Sequence, residues 1–193
     1  MSVLRFDFWE NNHPRINEAM EIEYSVFLKA GYIEPNRDRR AIEYDKYPDF
    51  RFLVGLDGSR IVAAARNIFD RDNTATLNFP TANDFDIFPE YIDKILSIGK
   101  DSFCETGTLA VIPEYQGNNY SINMMDALIQ EYNAKNIYYT ICAIDEGFFD
   151  FLKKIKLPFE RIGKTQFYMG SPTVPALFDS KTLEPDFFSK LLG

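Results

Sequence analysis

The chain has 193 residues, a formal net charge of −8 and a hydrophobic content of 46%. These values predict one globular domain, residues 1–193, rather than a disordered chain. The acidic balance argues against nucleic acid as a partner. The short apolar runs argue against stable membrane insertion. With only two cysteines and no apolar leader, we expect a cytoplasmic protein.

Histidine is nearly absent, which narrows the possible chemistry. The single residue of this type, His13, argues against histidine-based metal sites and against a Ser-His-Asp triad. We therefore expect no metal site and no histidine-activated nucleophile.

The N-terminal part predicts a strand, a helix and a hairpin in that order. Alternating residues 3–9 indicate the strand, and apolar residues at helical spacing in 13–31 indicate the helix. The polar stretch 32–49 is a candidate mobile segment. Two apolar runs in 50–69 flank Asp57-Gly58, which predicts a hairpin turn with positive φ at both central residues.

The rest of the chain predicts two buried strands separated by a helix, followed by shorter elements. The expected strands are 104–112 and 137–144, followed by two short strands or one bent strand within 159–170. The expected helices are 89–99, one after the turn 116–121, 145–156 and 185–192, and residues 70–90 are expected to form a loop. The continuous apolar run 137–144 is typical of a buried parallel strand. The order predicts an α/β fold with a mixed, partly antiparallel central sheet and helices on both faces.

The turn 116–121 is a candidate phosphate site. It begins a helix, where free N–H groups and the helix dipole favour an anion. Asparagine tolerates the left-handed conformation, and serine can donate a hydrogen bond. The alternative is an ordinary helix cap made by Asn118 or Asn119. The candidate residues are Gln116, Gly117, Asn118, Asn119 and Ser121.

The element order and this turn resemble the GNAT acyltransferase superfamily, in which a turn of the type Arg/Gln-x-x-Gly-x-Gly/Ala follows the central strand. Four stretches are more specifically similar to acyl-homoserine lactone synthases and long-chain N-acyl amino acid synthases: 23–32, 43–68, 105–117 and 159–179. The C-terminal "PTVPALFD" favours the N-acyl amino acid synthases. The resemblance covers nearly the whole chain.

Three positions differ from these families. Glu23 stands where the early helix usually carries arginine, and Tyr32 stands where the lactone synthases have tryptophan. Gly107 and Thr108 replace a basic residue that often follows the strand glutamate. These differences argue against lactone formation.

The resemblance implies direct attack of an amine on an activated thioester, without a metal or a tightly bound cofactor. Glu105 would be the general base. Asp45 would contact the acceptor or order an N-terminal lid. Arg66 would pair with Asp45 or Glu105, or bind the acceptor carboxylate. Leu109 and Val111 would offer the backbone of a splayed strand to the pantetheine of the donor.

The implied donor is an acyl-phosphopantetheine, carried either by acyl carrier protein or by coenzyme A. A single pantetheine phosphate requires less space than a pyrophosphate, so the turn favours the carrier protein. Carrier proteins are acidic, and docking would use the basic residues Lys153, Lys154 and Lys156. The alternative for these lysines is a solvated helix face.

The sequence leaves three functions open. The favoured one is transfer of a medium or long acyl chain to the α-amine of an amino acid. The second is acetyl transfer from acetyl-coenzyme A, and the third is non-catalytic binding of an acyl group or carrier. A deep apolar tunnel between 104–112 and 137–144 would favour the first, and a shallow slot ending near Cys142 the second. Burial of Glu105 with Arg66 away from any cleft would favour the third.

Overall fold

The computed structural model describes residues 4–70, 77–117, 119–184 and 186–192, whose nine strands form one sheet. The strands are β1 (Arg5–Glu10), β2 (Phe50–Asp57), β3 (Arg60–Ile68), β4 (Phe103–Thr106), β5 (Ala110–Val111), β6 (Tyr139–Asp145), β7 (Phe159–Arg161), β8 (Gln166–Tyr168) and β9 (Ser171–Asp179). The helices are α1 (Ile16–Lys29), α2 (Pro80–Asp84), α3 (Pro89–Ile98), α4 (Tyr120–Ala134), α5 (Glu146–Lys154) and α6 (Phe187–Leu192). The predicted mixed α/β fold is confirmed, whereas the single domain stays a prediction.

The sheet has the order β1-β2-β3-β4-β6-β9-β7, with β5 extending along β3 and β8 along β9. Among the described strand pairs, β4 and β6 run parallel and the others are antiparallel. The apolar run that indicated a buried parallel strand is therefore β6. No helix within the described ranges is both long and apolar enough to cross a bilayer.

Strands β4 and β6 separate partway along their length. They pair from Phe103 with Tyr139 to Glu105 with Ile141. The chain then leaves β6, and Ala110–Val111 pairs with β3 instead. We call the resulting opening between β5 and β6 the split. The continuous strand expected at 104–112 was wrong, because residues 107–109 turn away from the ladder.

Buried polar side chains explain this interruption. A Cβ at Gly107 would lie 2.9 Å from the Arg66 guanidinium carbon, so the Arg66 side chain fills the space beside the Gly107 backbone. The hydroxyl of the next residue, Thr108, donates to the carboxylate of Glu23 on α1. These contacts hold the segment away from β6.

The hairpin of β2 and β3 is confirmed, but its turn differs from the one expected. Asp57 pairs with Arg60, so the central residues are Gly58 and Ser59. Of these two, only Gly58 has a positive φ, at +61°. Glycine at the first central position is the pattern of a type II′ turn, which also matches the twist of the flanking strands.

Strand β9 was not expected from the sequence. Its nine residues include Pro172 and Pro175, and proline usually argues against a central strand because it has no N–H to donate. Here Pro175 lies opposite Ala143 of β6, and its carbonyl still accepts from the N–H of Ile162 at 2.9 Å. The strand therefore pairs on both sides despite its prolines.

The segment expected to be a loop at 70–90 contains α2, which begins at Pro80 in the first helical turn. Proline is favoured there because its missing N–H has no helical partner. Residues 71–76 of the expected loop lie outside the described residues. Helix α2 matters because it brings Thr81 against the sheet.

The two faces of the sheet pack against different elements. One face carries Phe52, Ile68, Phe103 and Ile141 and packs against residues from α2 and α3. The opposite face packs against the apolar sides of α4 and α5, including Met124, Leu128 and Leu152. The split therefore opens between two separately packed layers.

Candidate active site

A large cavity of about 390 Å³ enters the protein at the split. Its walls come from both diverging strands and from α4, and they are mainly apolar. It continues past Cys142 to side chains that α5, β7 and β9 bury in the core. The residues at this buried end are Leu152, Leu157, Phe159 and Phe178. The cavity is thus mainly apolar, and its lining extends beyond Cys142 to side chains of the core.

A small cavity of about 90 Å³ lies on the other face of the sheet. Its lining is more polar and includes Arg66, Thr81, Glu105, Tyr168 and Thr173. The two cavities have five lining residues in common, namely Phe27, Tyr32, Gly107, Ala143 and Asp145. An apolar and a polar compartment therefore adjoin at the split.

Glu105 lies on β4 at the wall of the small cavity and is only 1% exposed. Its Oε2 accepts a hydrogen bond from the backbone N–H of Thr81 at 2.9 Å. Burial raises the pKa of the Glu105 carboxyl to about 7, although the Thr81 N–H and the Arg66 charge act to lower it. A carboxylate with this pKa can accept a proton near neutral pH.

Arg66 lies on the same face of the sheet as Glu105, but its ion-pair partner is Glu23. The Nη1 of Arg66 is 2.5 Å from Glu23 Oε1, and the two side chains are 3% and 0% exposed. Pairing with Asp45 or Glu105, one of the two alternatives expected for a buried arginine, was wrong. Burial opposes the charge on the guanidinium, but Glu23 outweighs it and raises the pKa of Arg66.

Glu23 also accepts from the hydroxyls of Tyr44 and Thr108. Sequence reasoning treated it only as a difference from related families and did not assign it to the site. The available signal was its position: it lies seven residues after Ile16 and three after Met20, on the buried side of α1. A carboxylate there requires a partner, and Arg66 provides it.

Asp45 is exposed in the 3₁₀ turn Tyr44–Lys46 and is not among the residues that line either cavity. The buried residue of this turn is its neighbour Tyr44, which reaches Glu23. A role for Asp45 at the acceptor therefore stays a prediction.

The candidate phosphate turn has an open backbone at the start of α4. Gly117 and Asn119 have φ values of +79° and +59°, and no atom would lie within 4 Å of a Cβ at Gly117. Asn119 is the N-cap residue of α4 but makes no side-chain cap hydrogen bond with the described residues. Gln116 Nε2 donates to the carbonyl of Val111 at 2.9 Å. Asn118 lies outside the described residues.

The candidate donor-binding residues Leu109, Val111 and Ser121 differ in whether they line the large cavity. Leu109 and Ser121 line it, so the first turn of α4 borders the cavity. Val111 is buried in β5 against the α4 side of the sheet and lines neither cavity. Binding of the donor by these residues stays a prediction.

The three candidate docking lysines are exposed at the end of α5 and just beyond it. Lys153 donates from Nζ to the carbonyl of Phe159 at 3.0 Å, so it also supports the chain locally. No described carboxylate lies within ion-pair distance of Lys154 or Lys156. Their role in docking stays a prediction.

A hydrogen-bonded cluster on the α4 side of the split was not expected from the sequence. The Thr106 hydroxyl lies 2.8 Å from Tyr132 Oη and 3.1 Å from Thr140 Oγ1, and it donates to Asn67 Oδ1 at 3.2 Å. The cluster joins β3, β4, β6 and α4 just before the strands diverge. No group of three potential metal ligands lies together in the part of the chain that the structure describes.

Comparisons with known proteins agree with this geometry. The family of the N-acyl amino acid synthase FeeM matches residues 18–178. No curated protein matches the sequence of the chain.

Solved structures share the fold at low sequence identity. The AHL synthase LasI has a TM-score of 0.73 and 12% identity over 98% of this chain and 96% of LasI. The CoA-dependent acyl-homoserine lactone synthase BjaI has a TM-score of 0.72 and 12% identity over 98% and 88%. FeeM from uncultured soil microbes has a TM-score of 0.66 and 14% identity over 93% of each chain. The family match spans most of the residues that build the split and both cavities, so the chain belongs to the FeeM family of N-acyl amino acid synthases and is an acyltransferase.

Proposed function

We propose that this acyltransferase moves a medium or long acyl chain from an acyl-phosphopantetheine to the α-amine of an amino acid. The observation that carries the proposal is the large apolar cavity, which runs from the split past Cys142 to Leu157 and Phe178. An apolar chain gains free energy in proportion to the surface it removes from water. An acetyl group would leave most of this space unfilled, which argues against an acetyltransferase.

The split is suited to hold the thioester. Beyond Ile141, the edge of β6 that faces β5 has no strand partner in the described sheet. Its backbone groups can therefore bind the amides of pantetheine, and nearby N–H groups can stabilise an oxyanion. The acyl chain would then lie in the large cavity and the phosphate near the turn Gln116–Gly117 and Ser121.

Glu105 is assigned as the general base. The amine nitrogen bonds to the thioester carbon, the C–S bond breaks, Glu105 receives the amine proton, and the thiolate of pantetheine leaves and takes up a proton. Glu105 and Arg66 are both buried, but both line the small cavity. They are thus not buried away from any cleft, which argues against a protein that only binds an acyl group.

The donor could be acyl carrier protein or acyl-coenzyme A. A basic surface at Lys154 and Lys156 beside α5 favours an acidic carrier. BjaI, which shares the fold, is CoA-dependent. Both donors therefore belong in the test.

The test is mass spectrometry of reactions that contain the pure protein, the twenty amino acids and either acyl carrier proteins or acyl-coenzyme A of graded chain length. We expect N-acyl amino acids with medium or long chains. A reaction without the protein serves as the control for uncatalysed product. Products with acetyl only, or no product with any donor, would contradict the proposal.

A further inference from the structure

The small cavity is lined by residues whose buried polar atoms include two without a hydrogen-bond partner in the described part of the chain. Three buried side-chain polar atoms lack a hydrogen-bond partner among the described residues, and two of them, Arg66 Nε and Thr81 Oγ1, belong to residues of this cavity. Buried polar groups are nearly always paired, so each exception requires an explanation. A ligand with acceptor atoms at this position would provide the missing partners.

We propose that the small cavity is the acceptor site, that it takes a small α-amino acid of the size of glycine, alanine or serine, and that Arg66 and Thr81 bind the acceptor carboxylate. This inference rests on the proposed function, because it names the acceptor of the same reaction. It also assigns a role to Thr81, which no motif of the sequence indicated.

The charges of the cavity match a zwitterion. Arg66 is the cation. Glu23 engages its Nη1, and its buried Nε has no hydrogen-bond partner among the described residues. Glu105 and Asp145 are the carboxylic acids of the lining. A carboxylate held near Arg66 directs the amine of the same molecule towards Glu105, in the small cavity, or towards Asp145, at the wall shared with the large cavity. The amine is then beside both its base and the thioester.

The volume of the cavity limits the acceptor. A water-sized group needs about 10–15 Å³ of such volume, so about 90 Å³ holds roughly six to nine of them. Amino acids up to the size of leucine fall within this range, and glycine, alanine and serine fit it most easily, whereas tyrosine and tryptophan exceed it. The large cavity cannot take an acceptor side chain when it is filled with the acyl chain.

The far wall of the small cavity is fixed by Tyr168. Its hydroxyl donates to Asp84 Oδ2 at 2.8 Å, and the turn that follows packs closely on the end of α1, where a Cβ at Gly170 would lie 2.8 Å from the Gly31 carbonyl oxygen. This wall has little freedom to move outwards. Removing the Tyr168 ring should therefore enlarge the site.

The decisive experiment measures binding and transfer separately in the whole protein. Isothermal titration calorimetry with glycine, serine and tyrosine, in the presence of coenzyme A, gives the acceptor affinity without turnover. We expect glycine or serine to bind at least tenfold more tightly than tyrosine. Tighter binding of tyrosine, or no binding of any of the three, would overturn the inference.

Transfer then distinguishes this inference from the proposed function. If small amino acids bind but no acyl product forms, the proposed function fails and the acceptor site stands. If long-chain products form only on large amino acids, the proposed function stands and the inference fails. Tyr168→Ala should increase product from phenylalanine relative to glycine, whereas Tyr168→Phe, which keeps the ring, should not.

Thr81 is tested by a matched pair of variants. Thr81→Val keeps the backbone N–H that Glu105 accepts and removes only the hydroxyl. We expect it to raise the KM for the acceptor about tenfold and to leave the KM for the donor unchanged, and Thr81→Ser should restore the acceptor KM. The hydroxyl also lies close enough to lower the pKa of Glu105. If Thr81→Val shifted only the pH profile and left acceptor affinity unchanged, the assignment of Thr81 would be wrong.

Discussion

Arg66 lies against the backbone of Gly107, at the point where β4 ends and the split begins. A side chain at position 107 would occupy the space of the guanidinium, because its Cβ would lie 2.9 Å from Arg66 Nε and Cζ. The N–H of Gly107 also donates to the Arg66 carbonyl at 3.0 Å. One residue of β3 thus fixes both the end of a strand and a wall of the small cavity, while Glu23 holds its charge in place.

The buried pair of Glu23 and Arg66 should be costly to break. In Glu23→Gln the guanidinium loses its counter-charge but remains buried, so we expect a loss of roughly 3–5 kcal/mol in the free energy of unfolding. Urea denaturation measures it. The control is Glu184→Gln, which removes an exposed partner of Lys190 and should cost less than about 1 kcal/mol. Similar losses in both variants would show that the buried pair contributes no more to the free energy of unfolding than an exposed pair does.

Activity should depend on the protonation of Glu105. Because its pKa is raised to about 7, the base is increasingly protonated below neutral pH, and kcat/KM should fall as the pH decreases through 7. Glu105→Gln should lower kcat by about a hundredfold or more and remove this limb of the profile. The exposed Glu114→Gln is the control. A variant Glu105→Gln with near-normal kcat would exclude Glu105 as the base.

The same carboxyl should make stability depend on pH in the opposite sense to a salt-bridged acid. Its pKa is raised from 4.5 to about 7 on folding, so between these values the folded protein holds a proton that the unfolded chain releases. The contribution of this group to stability is present below 4.5 and is lost as the pH rises through 7.

Glu105→Gln cannot ionise, so its stability relative to the wild type should increase by roughly 2–3 kcal/mol between pH 5 and pH 8. Paired denaturation curves at the two pH values test this. The exposed Glu90→Gln controls for the substitution itself. A difference between Glu105→Gln and the wild type that does not change with pH would refute the raised pKa.

The depth of the large cavity should set the length of the acyl chain. Cys142 lines this cavity, and its thiol donates to the Ala176 carbonyl at 3.7 Å. Cys142→Leu should shift the product distribution towards shorter chains, at a stability cost of about 1–3 kcal/mol. Cys142→Ala enlarges the cavity and should keep the longer chains. Chain lengths are read by mass spectrometry, and identical distributions in both variants would place the acyl chain elsewhere.

The surface beyond α5 should distinguish the two donors. Lys154→Glu places a negative charge where an acidic carrier would approach, so we expect the KM for an acyl-carrier-protein donor to rise by up to roughly tenfold at low salt. The KM for acyl-coenzyme A should not change. Arg5→Glu, on the β1 edge of the sheet, is the control reversal. An equal effect of Lys154→Glu on both donors would argue against docking there.

Local sequence patterns determined the elements whose formation depends on near neighbours. The helical spacing of apolar residues in 13–31, the turn at Gly58 and the continuous apolar run 137–144 correspond to α1, the β2–β3 hairpin and β6. The family resemblance correctly indicated the acyltransferase fold. Strand β9 was missed because its formation depends on distant residues. Its prolines argue locally against a strand, and pairing with β6 stabilises it.

The site itself was decided by tertiary structure. The sequence identified Glu105 and Arg66 as site candidates, but the partner of Arg66 comes from α1, and the N–H that binds Glu105 comes from α2. The pKa of Glu105 and the sizes of the two cavities follow from how separate layers pack around the split. Periodicity specifies which side of an element is buried, whereas the residue that a buried charge meets depends on chain segments far apart in sequence. The sequence therefore determined the elements and the family of this protein, and packing determined the pairing, the burial and the space that give its site its chemistry.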